Sequence, residues 1–278
     1  RGPDDLAAIL YPSGTTGRSK GAMLSHDNLL SNARVLKDYW GWKPGDVLIH
    51  ALPIFHVHGL FVALHGALLN GSKMLWMAKF DPKRAIDWMR QATVFMGVPT
   101  LYVRMLGEAA LTREATAHMR LFISGSAPLL IETFKAWQER TGHTILERYG
   151  MSETAMLTSN PCTADARHGG ATERRGGTVG FPLPGVELRV MGDDGKPVQP
   201  GEIGGIQVQG GKPVVLFPKD VRQADLRMMK AFRADVPLDE RALNAQEKAW
   251  LAEIDGSIDV PGWWAFRLRR KWMHLRSK

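Results

Sequence analysis

The 278-residue chain has a single cysteine, Cys162, and no run of about 18 consecutive apolar residues. A lone cysteine excludes an internal disulfide framework and suits a reducing compartment, the cytoplasm being the expectation. Without a long apolar run, nothing in the sequence reads as a membrane-spanning helix. The opening Arg1-Gly2-Pro3-Asp4-Asp5 has neither an initiator methionine nor an apolar signal core, so it reads as the middle of a longer chain. Internal repeats and low-complexity tracts are missing too, although residues 167–177 are crowded with glycine and arginine.

What is present is an ordinary globular balance, 44% hydrophobic and 23% charged, enough for a real core in one or two domains. The formal net charge is +8. Residues 211–278 hold 14 Lys/Arg against 9 Asp/Glu and so carry +5 of it. A basic balance can serve nucleic acid or acidic lipid, but small anionic substrates such as ATP account for it equally well. Small molecules are the expected partners, with no nucleic acid and no membrane; the oligomeric state is left open.

Residues 11–21 read Tyr-Pro-Ser-Gly-Thr-Thr-Gly-Arg-Ser-Lys-Gly, between the apolar runs Leu6–Leu10 and Ala22–Leu24. Glycines let the backbone approach an anion with its N–H groups free, hydroxyls donate further hydrogen bonds, and Lys20 adds a point charge. A Walker A loop would need Gly-Lys-Ser/Thr opening a helix, whereas Lys20 precedes Gly21 and a strand-like run. The plainer alternative is a polar hairpin turn. The hydroxyls of Ser13, Thr15 and Thr16, interleaved with glycines, together with Lys20 favour phosphate binding.

Up to about residue 210 the chain alternates short apolar runs with amphipathic stretches, the pattern of a layered α/β domain. Helices are expected from an N-cap at Ser25 or Asp27, over Leu60–Leu69 with a stop at Asn70-Gly71, over Pro82–Thr93, from Leu101 to Leu106, and over Leu129–Thr141. Strands are expected at Val47–Leu52, Lys73–Met77, Val94–Val98, Leu121–Ser124 and Ile145–Tyr149. Three polar motifs follow such strands: Pro53-Ile54-Phe55-His56, Gly125-Ser126-Ala127-Pro128 and Tyr149-Gly150-Met151-Ser152-Glu153-Thr154. Carboxyl ends of parallel strands are where open α/β sheets bind ligands. From Pro182 the pattern changes to alternation around Asp193-Asp194-Gly195, a small antiparallel sheet or β-barrel.

Five motifs in this order resemble the adenylate-forming superfamily of acyl-CoA synthetases, luciferases and adenylation domains. They are Ser13-Gly14-Thr15-Thr16-Gly17 with Lys20-Gly21, Pro53-Ile54-Phe55-His56-Val57-His58-Gly59, Gly125-Ser126-Ala127-Pro128-Leu129, Tyr149 to Thr154, and Gly201-Glu202-Ile203-Gly204. Residues 96–100, 119–129 and 146–151 look most like malonyl-CoA synthetases. The resemblance implies a fragment of the large N-terminal domain of such enzymes: an AMP-binding α/β core over 1–181, the start of a small antiparallel β subdomain over 182–210, and a non-matching basic tail over 211–278.

It further implies an acid–CoA ligase that uses ATP, Mg²⁺ and coenzyme A. A carboxylate attacks the α-phosphate to give an acyl-adenylate and pyrophosphate, and the thiol of coenzyme A then displaces AMP. Carried over, Ser13, Gly14, Thr15, Thr16, Gly17 and Lys20 would hold the β- and γ-phosphates, and His56 would sit beside the acyl carboxylate. Gly125, Ser126, Ala127, Pro128, Arg148, Tyr149, Gly150 and Met151 would line the adenine. Ser152, where threonine is more usual, would bond the α-phosphate. Glu153, with Thr16, would ligate Mg²⁺, a hard cation that takes carboxylate, phosphate and water oxygens. His56, Lys20, Ser152 and Glu153 are the expected catalytic group. Pro12 replaces the usual threonine or serine and removes a donor.

A dicarboxylate leaves one carboxylate unreacted, and burying it calls for a fixed cation, best the planar fork of an arginine. Arg148 directly before Tyr149-Gly150 is the first candidate and Arg104 the second. Methylmalonate or a short fatty acid as substrate, and a non-catalytic nucleotide-binding protein, stand as alternatives.

Past Gly210 the pattern stops. Residues 211–278 contain neither the family's Thr-Gly-Asp, nor its Gly-Arg-x-x-Asp hinge, nor its late lysine, so impaired or absent activity is expected. Lys219–Val236 and Leu238–Ile254 suit amphipathic helices, and the end is basic and aromatic, with four of the nine tryptophans in this quarter. A shifted or fused reading frame, a helical appendage and a binding tail are the three readings of it.

Overall fold

The computed structural model describes residues 1–11, 20–192, 196–200, 203–210 and 215–218. The chain divides into two units, residues 1–12 with 22–184, and residues 13–21 with 185–278. The first carries a hairpin of β1 (Leu6–Leu10) and β2 (Lys20–Ser25), then α1 (His26–Tyr39), β3 (Val47–His50), a π-helical segment His58–Leu64 running into α2 (His65–Asn70), and β4 (Lys73–Trp76). It continues through α3 (Pro82–Trp88), β5 (Val94–Gly97), α4 (Pro99–Leu106), β6 (Leu121–Ser124), α5 (Ile131–Thr141), β7 (Ile145–Met151), β8 (Ala155–Ser159) and β9 (Phe181–Pro182). In the second unit β10 (Val186–Met191) pairs antiparallel with β11 (Gly205–Gly210), Leu188 opposite Val208, and β12 spans Val215–Pro218.

Seven strands form one sheet in the order β4-β3-β5-β6-β7-β8-β9, parallel from β4 to β7 and antiparallel beyond. The chain steps from β3 outward to β4, then back past β3 to β5. Because crossovers between parallel strands are right-handed, this reversal sends α2 to one face of the sheet and α3, α4 and α5 to the other. The gap beyond the carboxyl ends of β3 and β5 is therefore a topological switch point, where open α/β sheets place ligands.

The central parallel strands β5 and β6 are almost wholly apolar, as suits strands covered on both faces. Val94, Phe95, Met96, Leu121, Phe122 and Ile123 are fully buried. Trp137 of α5 stands edge-on to Tyr102 of α4 at 4.9 Å and to Phe122 of β6 at 5.0 Å. Burying a side chain of this class contributes about 1.5–3 kcal/mol. Trp40, at the end of α1, donates from Nε1 to Ser159 Oγ at 3.0 Å, which ties that helix to β8.

Sequence and structure differ at element ends, and each difference has a local cause. Ser25 rather than Asp27 caps α1: its Oγ accepts from Asn28 N at 3.2 Å while its own N donates to Asn28 Oδ1 at 2.9 Å. Helix α3 stops at Trp88, short of the expected Thr93, because Thr93 is committed to β3. Its N donates to Val47 O at 2.9 Å, its Oγ1 accepts from Val47 N at 2.9 Å, and Oγ1 donates to Asp46 Oδ1 at 2.8 Å. Helix α5 starts at Ile131 rather than Leu129, whose N–H goes instead to Glu147 Oε1 at 3.0 Å. Strand β7 runs on to Met151 and folds back through Ser152–Thr154 into β8, so the expected post-strand motif is a tight hairpin. Gly150 permits that approach, since a Cβ there would lie 2.0 Å from Ala155 O. The helices expected after Lys219 lie outside the described residues.

Candidate active site

Three segments bring functional side chains together beyond the carboxyl ends of the parallel strands. After β3, the turn Pro53–Val57 leads into the π-helical segment, whose first residue is His58. After β6, the chain turns through Gly125 and Ser126, the latter at φ +69°, a left-handed conformation uncommon for a residue with a side chain. On β7, Arg148 is buried. Ser126 Oγ and His58 Nδ1 are 3.2 Å apart, within hydrogen-bond distance.

Arg148 is 2% exposed, and neither its Nε nor its Nη2 has a hydrogen-bond partner among the described residues. Burial pulls its pKa down to about 9, the Tyr102 hydroxyl opposing weakly, so the guanidinium remains a cation at neutral pH. His58 is 4% exposed with Nε2 unpartnered among the described residues. Burial first, then electrostatic interaction with Arg148, His50 and His56, holds its pKa well below the usual histidine value. Tyr102 is committed elsewhere, donating to Ile123 O at 2.7 Å, and burial pushes its pKa well up.

No carboxylate pairs with Arg148 among the described residues, and the groups acting on His58 are basic. A buried charge is normally matched by an opposite one. A guanidinium with Nε and Nη2 unpartnered among the described residues, a neutral imidazole and a hydroxyl together suit an anion that two or three donors can hold, and a carboxylate has that shape.

The hairpin between β7 and β8 carries Tyr149, Gly150, Met151, Ser152 and Glu153, all half-buried. Burial raises the pKa of Glu153, and no cationic side chain pairs with it among the described residues. One carboxylate of this kind, in a region with no cluster of three His, Cys, Asp or Glu among the described residues, fits Mg²⁺ held jointly with phosphate oxygens. It does not suit a metal caged by protein alone.

Of the other expected residues, His56 is exposed, with its ring 4.6 Å from that of Phe55. Ala127 and Pro128 are exposed beside buried Gly125. Arg104 is not part of the group: it lies exposed on α4, its guanidinium 4.9 Å over the Phe80 ring and donating to Phe80 O at 3.3 Å. Ser13, Gly14, Thr15, Thr16 and Gly17 lie outside the described residues, as does the side chain of Lys20, whose backbone opens β2.

The sequence alone assigns no role to His58, His50 or Glu147. His58 stands in plain view two residues after His56, but nothing in the spacing says that the first histidine faces solvent and the second the interior. The register that decides this is set by the π-helical turn, which has no sequence signature of its own.

Residues 1–214 match the AMP-binding enzyme family. A malonate–CoA ligase of Arabidopsis thaliana is 39% identical over 220 residues, covering 72% of this chain and 35% of its own length. The mitochondrial malonate–CoA ligase of Homo sapiens is 36% identical over 204 residues, 68% of this chain and 34% of its own. Among solved structures, ATP-bound MatB from Rhodopseudomonas palustris superposes with a TM-score of 0.72 at 53% identity, covering 85% of this chain and 45% of that one. The chain thus spans about a third of the length of these curated relatives and under half of the solved structure.

Proposed function

We propose, from the premise that the chain belongs to the AMP-binding enzyme family, that it carries the nucleotide- and acid-binding part of an ATP-dependent acid–CoA ligase acting on malonate. In the reaction a malonate carboxylate oxygen bonds to the α-phosphorus of ATP as the bond to pyrophosphate breaks. The thiol of coenzyme A then bonds to the acyl carbon of the malonyl-adenylate, losing its proton as AMP leaves. The products are malonyl-CoA, AMP and pyrophosphate.

The observation that carries the substrate class is Arg148, a buried cation whose Nε and Nη2 have no partner among the described residues. In this reading its fork holds the carboxylate that does not react, with Ser126 Oγ and His58 beside it. A monocarboxylic acid would leave the guanidinium buried and unmatched, which disfavours it. Malonate–CoA ligases among the relatives support the same choice. His56, exposed on the turn before the π-helical segment, is available to meet the reacting carboxylate from solvent.

Gly125, Ser126 and Ala127 line the adenine, and Ser152 bonds the α-phosphate; ATP-bound relatives support nucleotide use. The hydroxyl- and glycine-rich loop with Ser13, Thr15, Thr16 and Lys20 holds the β- and γ-phosphates. Glu153 contributes a carboxylate to Mg²⁺, which supplies charge neutralisation on the phosphate oxygens when bound. Positioning and charge stabilisation are the main tools for chemistry of this kind.

Malonate-dependent exchange of radiolabelled pyrophosphate into ATP tests the reading, with butyrate and methylmalonate in parallel. Exchange with malonate, lost in Arg148→Ala while ATP still binds, supports it. Equal exchange with butyrate moves the assignment to short fatty acids. ATP binding without exchange for any acid supports a nucleotide-binding module instead.

A further inference from the structure

The turn that delivers His58 is anchored by a residue with no part in the chemistry above. His50, last in β3, is 1% exposed, and its Nε2 lies 2.9 Å from the carbonyl oxygen of Gly59. A carbonyl oxygen only accepts, so Nε2 carries the ring proton and donates. Nδ1 is then bare, and it is buried with no partner among the described residues. One face of the ring stacks on Trp76 of β4, centroids 4.3 Å apart and planes at 17°. Burial lowers the pKa of His50, which keeps it a neutral donor at pH 7.

Gly59 is the second residue of the π-helical segment and follows His58 directly. It admits no side chain, since a Cβ would lie 2.2 Å from Pro53 O. The turn Pro53–Val57 is thereby folded tightly against the start of the helix. One peptide unit further back, His58 directs Nδ1 to Ser126 Oγ at 3.2 Å and lies within the field of Arg148. The bond from His50 thus ties the carboxyl end of β3 to the segment whose register places His58. π-helical turns are rare and occur frequently at functional sites.

We propose that His50 is a positioning residue for His58: by donating to the Gly59 carbonyl it fixes the first turn of the π-helical segment, and with it the place of His58 in the acid-binding group. The inference deepens the assignment of Arg148 and His58 to the acid and rests on it.

Two variants of the full chain test it. His50→Leu fills the space without a donor; in His50→Gln the side-chain amide can still donate to Gly59 O. Three quantities are read: the ring-nitrogen NMR shifts of His58, the affinity for malonate in the presence of ATP and Mg²⁺, and the affinity for ATP alone. In His50→Leu the His58 shifts should move and malonate binding should weaken roughly 10- to 100-fold, the penalty of a small misplacement, with ATP affinity unchanged. His50→Gln should return both toward the wild-type values. Unmoved His58 shifts in His50→Leu, equal damage in both variants, or parallel loss of ATP affinity would each overturn the proposal. Should the wild-type chain fail to bind malonate, the acid assignment falls, and the His58 shifts in the two variants still decide whether His50 holds His58.

Discussion

A Cβ built on Gly125 would lie 2.5 Å from Cζ of Arg148 and 2.7 Å from its Nε and Nη1. The guanidinium occupies the volume that a side chain after β6 would need, so the glycine of one motif and the arginine before another form a single packing unit. Gly125→Ala should therefore push Arg148 out of place. Overpacking of this sort costs about 1–3 kcal/mol of stability. The sharper expectation is functional: malonate-dependent exchange should fall at least as far as in Arg148→Ala, whereas Arg104→Ala, on an exposed helical face, should leave exchange unchanged. Full malonate use in Gly125→Ala would show that Arg148 does not need its present position.

The pairing of Gly125 with Arg148 also shows what a sequence can reveal. Ordered motifs point to the fold, and Arg148 stands out because it directly precedes the Tyr149-Gly150 motif and its guanidinium suits an anion. They did not reveal that Arg148 lies beneath Gly125, that His58 rather than His56 is buried, or that Tyr149–Thr154 closes a hairpin. Those facts depend on close backbone and side-chain approaches that residue types do not announce: Gly125 against Arg148, Gly59 against Pro53 and Gly150 against Ala155. Sequence ranks Arg148 ahead of Arg104 because it abuts the Tyr149-Gly150 motif, but only packing shows one guanidinium lying over Phe80 and the other enclosed in the core.

Asp46, just before β3, holds Arg120, just before β6, through two charge-assisted bonds, Nε to Oδ1 at 2.7 Å and Nη2 to Oδ2. Burial raises the Asp46 pKa, but Arg120, the Lys43 N–H and the Thr93 hydroxyl outweigh it, and the net shift is downward. A carboxylate whose folded pKa is depressed stabilises above its unfolded pKa, and that contribution is lost as pH falls through the folded one. Asp46→Asn should thus be less stable than wild type at pH 7, by roughly 1–3 kcal/mol. The gap between the two proteins in urea titrations should close as pH is lowered below the ordinary aspartate range.

Glu147 should behave in the opposite sense. Its Oε1 accepts from Leu129 N, but Oε2 is buried with no partner among the described residues, and burial raises its pKa above the usual value. With the folded pKa raised, protonation favours the folded state, and stability declines as pH climbs through that pKa. Glu147→Gln keeps an acceptor for Leu129 and removes the charge. The variant should match wild type in acid and exceed it at neutral pH, measured by the same urea titrations. A variant weaker than wild type at pH 7 would mean that the carboxylate has a partner worth more than its burial costs.

Glu153 offers a test of the metal assignment through pH. A carboxylate binds Mg²⁺ only when ionised, and burial places the Glu153 pKa above the ordinary glutamate value. Protonation should therefore begin to compete with the metal at a higher pH than for an exposed carboxylate. The Mg²⁺ concentration needed for half-maximal ATP binding should rise as pH falls toward that range, before any loss of folded protein seen by circular dichroism. Glu153→Gln removes the titrating group while keeping its shape. The variant should need more Mg²⁺ at pH 7 and should lose the pH dependence over the same interval. A Glu153→Gln chain with the wild-type Mg²⁺ requirement and an unaltered pH profile would move the metal ligand elsewhere in the hairpin or to the loop that carries Thr16.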